Sequence, residues 1–302
     1  MEISQVAEAL VDEAKAVALV EKMRWPHGPM CPHCGWIKTI YDLSKTRLGL
    51  RKCGKCRKQF TVRVGTIFED SHIQLSKWLY AIRLMCSSKK GISANQLRRE
   101  LGIQYRSAWH MCHRIRLAMT KPPLSTKLGR EGQIVEADEV YIGGKPGNNK
   151  HEGFKPPKKM AVLTLVERDG DVRTMQIPNT KRATLQTLIR TNVSEAAYIM
   201  TDSSRAYPGL KRHFRMHDSV NHSKEYVRGI IHINFAESYH SLLKRGVFGT
   251  FHHISEKHLH RYLREFEFRW NSRKATDGAR ATEALVGIEG KRLMYKAPIK
   301  RH

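Results

Sequence analysis

Two sets of residues in this 302-residue sequence could bind metal ions: four cysteines near its start and three acidic residues after residue 133. The cysteines form two C-x2-C pairs, Cys31 with Cys34 and Cys53 with Cys56, separated by eighteen residues. Four thiolates on two tight turns suit a tetrahedral zinc ion, and this spacing is typical of zinc-binding modules. Because four protein ligands leave no open coordination position, the sequence predicts a structural zinc site.

These cysteines have two alternative uses, as disulfide bonds or as a redox-active C-x-x-C pair. The N-terminal segment does not resemble a secretion signal, which disfavours disulfides, and the duplication of the motif disfavours a redox pair. Cys86 and Cys112 lie apart from the pairs, in helical and partly apolar sequence. We interpret these two as buried or half-buried free thiols.

The three acidic residues lie where a charge needs a structural or chemical reason. Asp138 is in the middle of a predicted strand, where a charge is costly unless it is paired or bound to metal. Asp202 ends a second apolar strand and Glu237 opens a helix, with 63 residues between the first two acids and 34 between the last two. Taken singly, Asp202 could cap a helix and Glu237 could be a solvated first-turn acid. Their joint placement after a predicted β-hairpin favours one shared site.

Strand and helix signals alternate after residue 133. The predicted strands are Ile134–Ile142, Met160–Val166, Val172–Ile177 and Ala196–Thr201, the second and third forming a hairpin around Asp169-Gly170. The predicted helices cover residues 181–192, 236–245 and 256–273. This order predicts an α/β fold with a mixed sheet.

Changes in composition divide the chain into six predicted segments. A stretch rich in proline and glycine marks a linker before the α/β part, and glycine, cysteine and β-branched residues mark the region of the cysteine pairs. The segments are an N-terminal helix (1–26), a zinc ribbon (27–72) with strands near Arg51 and Phe60–Val64, a helical segment (73–120), a linker (121–132), the α/β domain (133–280) and a basic C-terminal tail (281–302).

The helical segment contains a candidate helix-turn-helix, with helices at 93–101 and 104–117 joined at Gly102. Ser93 suits an N-cap, and an apolar seam would join the two helices through Leu97, Leu101, Ile103, Trp109 and Ile115. The second helix would present polar residues to DNA, as recognition helices do. These residues are Gln104, Tyr105, Arg106, Ser107 and His110. An ordinary helical hairpin is the alternative, and the basic surroundings favour DNA binding.

The chain is strongly basic, with 54 Lys and Arg against 28 Asp and Glu and a net charge of +26. Nine basic residues and one acid lie between Lys38 and Arg63, and ten basic residues and one acid lie between Lys89 and Arg130. A net charge this large destabilises a compact protein, because its like charges repel one another. We therefore expect a polyanionic partner, a nucleic acid. No apolar stretch approaches the roughly 20 residues of a membrane helix. We therefore expect no membrane partner and a cytoplasmic, nucleoid-associated location.

Five blocks of the sequence resemble insertion-sequence transposases that carry an N-terminal zinc ribbon and an ISXO-type DDE catalytic domain. The blocks are CPHCG (31–35), CRKQFTVRVGTIFEDSHI (56–73), EADEVYIGGK (136–145), TDSSRAYPGL (201–210) and HINFAESYHSLLKRGVFGTFHHISEKHLHRYLREFEFRWNSR (232–273). They occur in order and span nearly the whole chain. The last block is the longest and the most specific.

The resemblance implies a ribonuclease H-like catalytic domain with one carboxylate on the first strand, one after a later strand and one on a helix. Asp138, Asp202 and Glu237 fall at these places. Asn234 is an alternative third ligand, because some members of the family are described with asparagine in place of the third acid. We prefer Glu237, because a carboxylate holds Mg²⁺ better than an amide does and Lys244 follows it by two turns on the same helix face.

The implied reaction is cleavage and strand transfer of DNA, with two divalent ions, Mg²⁺ or Mn²⁺, at the three acids. The implied substrates are the double-stranded terminal inverted repeats of a mobile element and its target DNA. Because two ends react together, we expect a homodimer or a larger synaptic complex. Lys244 and Arg245 are predicted to contact DNA near the cut.

Two other functions stay open at this level. A DNA-binding regulator would keep the ribbon and the helix-turn-helix and have an inert C-terminal domain, which the presence of all three acids disfavours. A ribonuclease H-like nuclease would cleave DNA without strand transfer, and no residue pattern in the sequence separates it from a transposase.

Overall fold

The computed structural model describes residues 3–121, 126–143, 159–221 and 223–295. The chain forms two compact units, Met1–Lys121 with Lys274–His302, and Pro122–Arg273. The predicted boundary between the α/β domain and the basic tail falls at residue 280, inside a helix that belongs to the first unit. Residues 122–125 of the predicted linker and 296–302 of the predicted tail lie outside the described residues.

The first unit begins with two helices, α1 (Ile3–Val11) and α2 (Glu13–Arg24), where the sequence predicted one. The break lies at Asp12, whose backbone is extended and whose carboxylate accepts hydrogen bonds from the amides of Ala14 and Lys15, at 2.7 and 3.1 Å. A side chain that caps helix amides in this way favours the start of a new helix. The prediction of a single helix was therefore wrong.

A small antiparallel sheet follows, with strands in the order β1 (Ile40–Asp42), β2 (Arg51–Cys53) and β3 (Gln59–Phe60). The strands predicted near Arg51 and Phe60 are confirmed. The third strand ends at Phe60, without extending to Val64, and β1 was not predicted.

Three helices complete the part of this unit that precedes the second unit: α3 (Leu75–Ser87), α4 (Ala94–Leu101) and α5 (Tyr105–Ala118). The N-terminus of α3 is capped by a distant side chain, because the Glu13 carboxylate accepts the amides of Leu75 and Ser76 at 2.8 and 2.9 Å. Cys86 and Cys112 are buried, which agrees with the prediction.

The second unit is built on a mixed five-stranded sheet in the order β6-β5-β4-β7-β8. Its strands are β4 (Ile134–Ile142), β5 (Met160–Glu167), β6 (Val172–Ile177), β7 (Tyr198–Asp202) and β8 (Met216–Val220). Strands β4, β5 and β6 are antiparallel, whereas β7 runs parallel to β4 and β8 runs parallel to β7. The α/β class and the mixed sheet are confirmed, and β8 is a strand that the sequence did not predict.

Helices cover both faces of this sheet: α6 (Arg182–Asn192), α7 (Asn234–Gly246) and α8 (Glu256–Asn271). Alternate residues of β4 face opposite sides, as the two-residue period of a strand requires. Val135 and Ala137 pack in the cluster that contains α6, and Val140 and Ile142 pack in the cluster that contains α7 and α8.

The chain then returns to the first unit as α9 (Asp277–Val286). The hydroxyl of Thr276 caps this helix by accepting the amide of Ala279 at 3.2 Å, and Ala281, Ala284 and Leu285 are buried. Over the described ranges, no helix combines the length and the apolar character needed to cross a membrane.

Candidate active site and zinc site

The two cysteine pairs come together at one end of the small sheet. The Sγ atoms of Cys31, Cys34, Cys53 and Cys56 all lie within 4.8 Å of one another. The Sγ–Sγ distances are 3.7 Å for Cys31–Cys56 and 3.7 Å for Cys34–Cys53. A tetrahedral zinc site with Zn–S bonds of about 2.3 Å separates its sulfurs by about 3.8 Å. The cluster therefore has the size and the ligand set of a structural zinc site.

Hydrogen bonds within the cluster favour the thiolate form of Cys53. The amide of Cys56 donates to the Sγ atom of Cys53 at 3.5 Å. Burial raises the pKa of Cys53, but the amides of Cys56 and Lys55 and the side chains of Cys34 and Cys56 together lower it to about 7, whereas burial raises the pKa of Cys31. Thiolates are the form that zinc binds.

The predicted helix-turn-helix is present as α4, a turn and α5. The hydroxyl of Ser93 accepts the amide of Gln96 at 3.1 Å, and Gly102 has a left-handed backbone with φ of +61°. Leu97, Leu101 and Ile115 are buried as predicted, whereas Trp109 is half-buried.

The predicted DNA-reading residues cluster at the start of α5. Gln104, Tyr105 and Arg106 are exposed, and His110 is half-buried. One turn further on, residues 113–116 are all buried, so the second half of this helix belongs to the core of the unit. Only the first turns of α5 are therefore free to face DNA, which is the part of a recognition helix that contacts bases.

A C-terminal aromatic residue lies beside this surface. The ring of Tyr295 is 5.5 Å from the ring of His110, and the guanidinium of Arg106 lies 5.9 Å from its centroid. Tyr295 keeps half of its own surface exposed. The helix start and this tyrosine form a mixed aromatic and cationic surface that the sequence did not predict.

Asp138 and Asp202 occupy equivalent places on neighbouring parallel strands. The register pairs Ala137 with Thr201, so each acid is the residue after a paired position. Parallel neighbours lie about 4.8 Å apart, and residues in matching positions point to the same face. That face is the one covered by α7. The sheet thus places the two aspartates side by side.

Local hydrogen bonds orient both aspartates. The Oδ1 atom of Asp138 accepts the amide of Glu139 at 2.8 Å, and the Oδ1 atom of Asp202 accepts the amide of Ser204 at 3.0 Å. Asp202 ends β7 and a turn follows it, so it does not cap a helix there.

Helix α7 contacts Asp138 through a buried histidine that the sequence analysis did not identify. The Nδ1 atom of His240 lies 3.4 Å from the Oδ2 atom of Asp138, and its Nε2 atom lies 2.9 Å from the hydroxyl of Thr164. Thr164 is paired with Asp138 across β4 and β5. His240 therefore bridges the aspartate and the neighbouring strand.

The two candidates for the third ligand both lie in the first turn of α7. Asn234 is exposed and is the first residue of the helix, whereas Glu237 is half-buried. The sequence predicted this helix from residue 236, whereas α7 begins at Asn234, and its N-cap residue Ile233 makes no side-chain capping hydrogen bond. Further along the helix, Lys244 and Arg245 are exposed and lie in its last turn.

The cap of α7 comes instead from strand β4. The Oε2 atom of Glu136 accepts the amides of Phe235 and Ala236 at 2.8 and 3.0 Å. Its Oε1 atom accepts a hydrogen bond from the Nε atom of Arg168 at 2.7 Å. Burial raises the pKa of Glu136, and the amide of Ala236 and Arg168 oppose that shift. Glu136 was not among the residues predicted for the site, although it lies two residues before Asp138 on the same predicted strand.

A further acid, Glu139, follows Asp138 on β4 and contacts a buried tyrosine. The hydroxyl of Tyr207 donates to its Oε2 atom at 2.6 Å. The pKa of Glu139 is raised to about 7, first by burial and then by the charges of Asp138 and Asp202, against the effect of the tyrosine. Negative charge is thus concentrated where β4 and β7 lie side by side.

The structure therefore places Asp138 and Asp202 side by side on β4 and β7, and α7, which carries Glu237, packs on β4 and β5. Among the described residues, the four cysteines form a group whose ligand atoms all lie within 4.8 Å, and the three acids do not form so tight a group. Carboxylates that together bind two ions about 3.5–4 Å apart can lie further from one another than the ligands of a single ion.

The family of the chain follows from its two parts. Residues 130–271 match the ISXO2-like transposase domain, and residues 11–59 match the transposase zinc-ribbon domain. The chain belongs to the insertion-sequence transposases that join these two domains.

Two curated relatives agree with this assignment. The chain is 27% identical over 278 residues to an uncharacterised protein in the transposable element ISH50 of Halobacterium salinarum, with 87% of this chain and 92% of that protein covered. It is 32% identical over 101 residues to an uncharacterised transposase-like protein of Haemophilus influenzae, with 33% of this chain and 81% of that protein covered.

Proposed function

We propose that this transposase binds the terminal inverted repeats of its insertion sequence and catalyses metal-dependent cleavage and strand transfer of DNA. The observation that carries the proposal is the placement of Asp138 and Asp202 on adjacent parallel strands beneath the helix that bears Glu237. A carboxylate on the first strand, one at the end of a later strand and one on a helix supports a ribonuclease H-like catalytic domain.

The donor set fits hard divalent ions. Asp138, Asp202 and Glu237 offer oxygen ligands, which Mg²⁺ and Mn²⁺ prefer. The pKa of Glu139 is raised first by burial and then by the negative charges of the two aspartates, and a bound cation would offset those charges. When bound, two such ions activate the attacking oxygen and stabilise the leaving oxygen of a phosphodiester.

The protein's own residues supply position and charge around the scissile phosphate. The hydrogen bond from the amide of Glu139 and the contact with His240 hold Asp138 in one orientation. Lys244 and Arg245 are exposed on the helix of Glu237 and would bind phosphates beside the cut. Water attack would release a 3′-hydroxyl at the element end, and this hydroxyl would then attack target DNA at the same site.

Recognition of the element ends is assigned to the first unit. Its ribbon and its helix-turn-helix lie in the two strongly basic segments of the chain, and the start of α5 is exposed. We also propose a homodimer or a larger synaptic complex, because the reaction joins two ends to one target.

Arg106→Ala is expected to weaken binding to the element ends by about 1–3 kcal/mol and to reduce the preference for them over unrelated DNA. Arg99→Ala is the matched control, since it removes the same charge from the exposed surface of α4. It should weaken binding to both DNAs alike. Fluorescence anisotropy with a duplex carrying the inverted repeat and with an unrelated duplex, at several salt concentrations, measures both effects. Equal losses of affinity for the two duplexes in Arg106→Ala would show that this helix does not recognise bases.

End cleavage by single variants tests the catalytic assignment. Asp138→Asn and Asp202→Asn should each abolish nicking of an element end in Mg²⁺ and in Mn²⁺, while binding to the end is retained. Asp169→Asn is the control, because Asp169 is an exposed acid in the β5–β6 turn with φ of +58°, a conformation that asparagine accepts. Cleavage by either active-site variant at the rate of the control would contradict the proposal.

A further inference from the structure

The contact between Glu136 and the N-terminus of α7 connects strand β4, which carries Asp138, to the helix that carries Glu237. Glu136 lies on β4, two residues before Asp138 and on the same face, and its side chain is fully buried. The two amides that it accepts belong to Phe235 and Ala236, immediately before Glu237. A carboxylate placed at a helix N-terminus also interacts favourably with the helix dipole.

Arg168, the residue after β5, also contacts both Glu136 and the segment that leads into α7. Its Nε atom donates to Glu136 at 2.7 Å, and its Nη2 atom donates to the carbonyl of His232 at 3.0 Å. The Nδ1 atom of His232 lies 3.2 Å from the Oε1 atom of Glu136. The arginine thus holds both the carboxylate and the backbone that leads into α7. A buried charge without such partners would be strongly destabilising.

The spacing along the strand matches the spacing along the helix. Glu136 and Asp138 are separated by about 6.6 Å, two strand residues, and Ala236 and His240 by about 6 Å, four helical residues. Ala236 is bound to Glu136, and His240 contacts Asp138. Helix α7 is therefore anchored to β4 at two matched points, and Glu237 lies between them.

We infer that Glu136, held by Arg168, is a positioning residue that sets the distance and register between Asp138 and Glu237 and so shapes the divalent-metal site. The inference rests on the proposed function, because it concerns the same catalytic acids. Partners of metal ligands typically change metal affinity or activity by about 10- to 100-fold when they are removed.

The test is the Mn²⁺ dependence of end cleavage by the full-length protein. Glu136→Gln should raise the half-saturating Mn²⁺ concentration about tenfold or more, with binding to the element end unchanged. The matched control is Glu265→Gln, which removes an equally buried carboxylate, paired with Arg269 at 2.5 Å within α8. The control should lower the thermal stability of the protein and leave the half-saturating Mn²⁺ concentration unchanged.

A second variant covers the case in which Glu136→Gln does not fold. Arg168→Lys keeps the positive charge but cannot hold both Glu136 and the carbonyl of His232, so it should raise the Mn²⁺ requirement by a smaller factor. If the folded Glu136 or Arg168 variants show the Mn²⁺ dependence of the Glu265 control, the inference is overturned and the proposed function stands. If Asp138→Asn still cleaves DNA, the proposed function fails and the inference fails with it.

Discussion

Glu237→Gln is expected to slow end cleavage on the order of a thousandfold, because a metal-binding carboxylate contributes several kcal/mol of charge stabilisation to phosphoryl transfer. The variant keeps the size of the side chain, so the protein should stay folded and bind the element end as before. Single-turnover cleavage in saturating Mg²⁺ measures the rate, and circular dichroism and anisotropy measure fold and binding.

Asn234→Ala is the matched comparison on the same helical turn. Asn234 is exposed at the first position of α7, and Glu136 caps the amides of the two following residues. Its loss should therefore slow cleavage less than tenfold. A larger loss of cleavage rate for Asn234→Ala than for Glu237→Gln would identify Asn234, and not Glu237, as the third metal ligand.

Loss of zinc is the second large effect that we expect. Cys53→Ser removes a fully buried ligand of the four-cysteine cluster, and such a site contributes directly to folding energy. Elemental analysis should find one zinc per wild-type chain and close to none in the variant, together with loss of preference for the element ends. Cys86→Ser, a buried cysteine outside the cluster, should keep its zinc. Unchanged zinc content in Cys53→Ser would contradict the assignment.

The features that sequence predicted well are those fixed by local pattern. The strand predicted for Ile134–Ile142 is β4 with its observed limits. The turn at Asp169 and Gly170 joins β5 and β6 as expected, with Asp169 in the left-handed conformation. The cysteine spacing likewise predicted a cluster that the structure closes to tetrahedral size.

Features that depend on distant partners could not be predicted in this way. The cap of α7 lies on a strand about a hundred residues earlier, and helix ends carry no local signal when another element caps them. Nothing in the sequence distinguishes His240 from the other histidines. Its contact with Asp138 arises only when α7 packs on the sheet. Strand β8 is short and mostly half-buried. Its sequence is therefore largely polar and lacks the apolar pattern from which the other strands were predicted.

The C-terminal helix shows the same limit on the scale of domains. Composition placed residues after 280 in a basic tail, yet α9 packs with α3 in the first unit. A return of the chain to an earlier unit depends on complementary surfaces, such as that around Ala284 and Leu285, and these are visible only in three dimensions.

Strand transfer from a precut element end tests the proposed activity most directly. The substrate is a duplex that ends in the inverted repeat with a free 3′-hydroxyl, mixed with supercoiled plasmid and Mg²⁺. We expect the wild-type protein to join the end to the plasmid and Asp202→Asn to give no joined product. Cleavage of uncut ends without joining of precut ends would contradict the transposase mechanism and identify a nuclease.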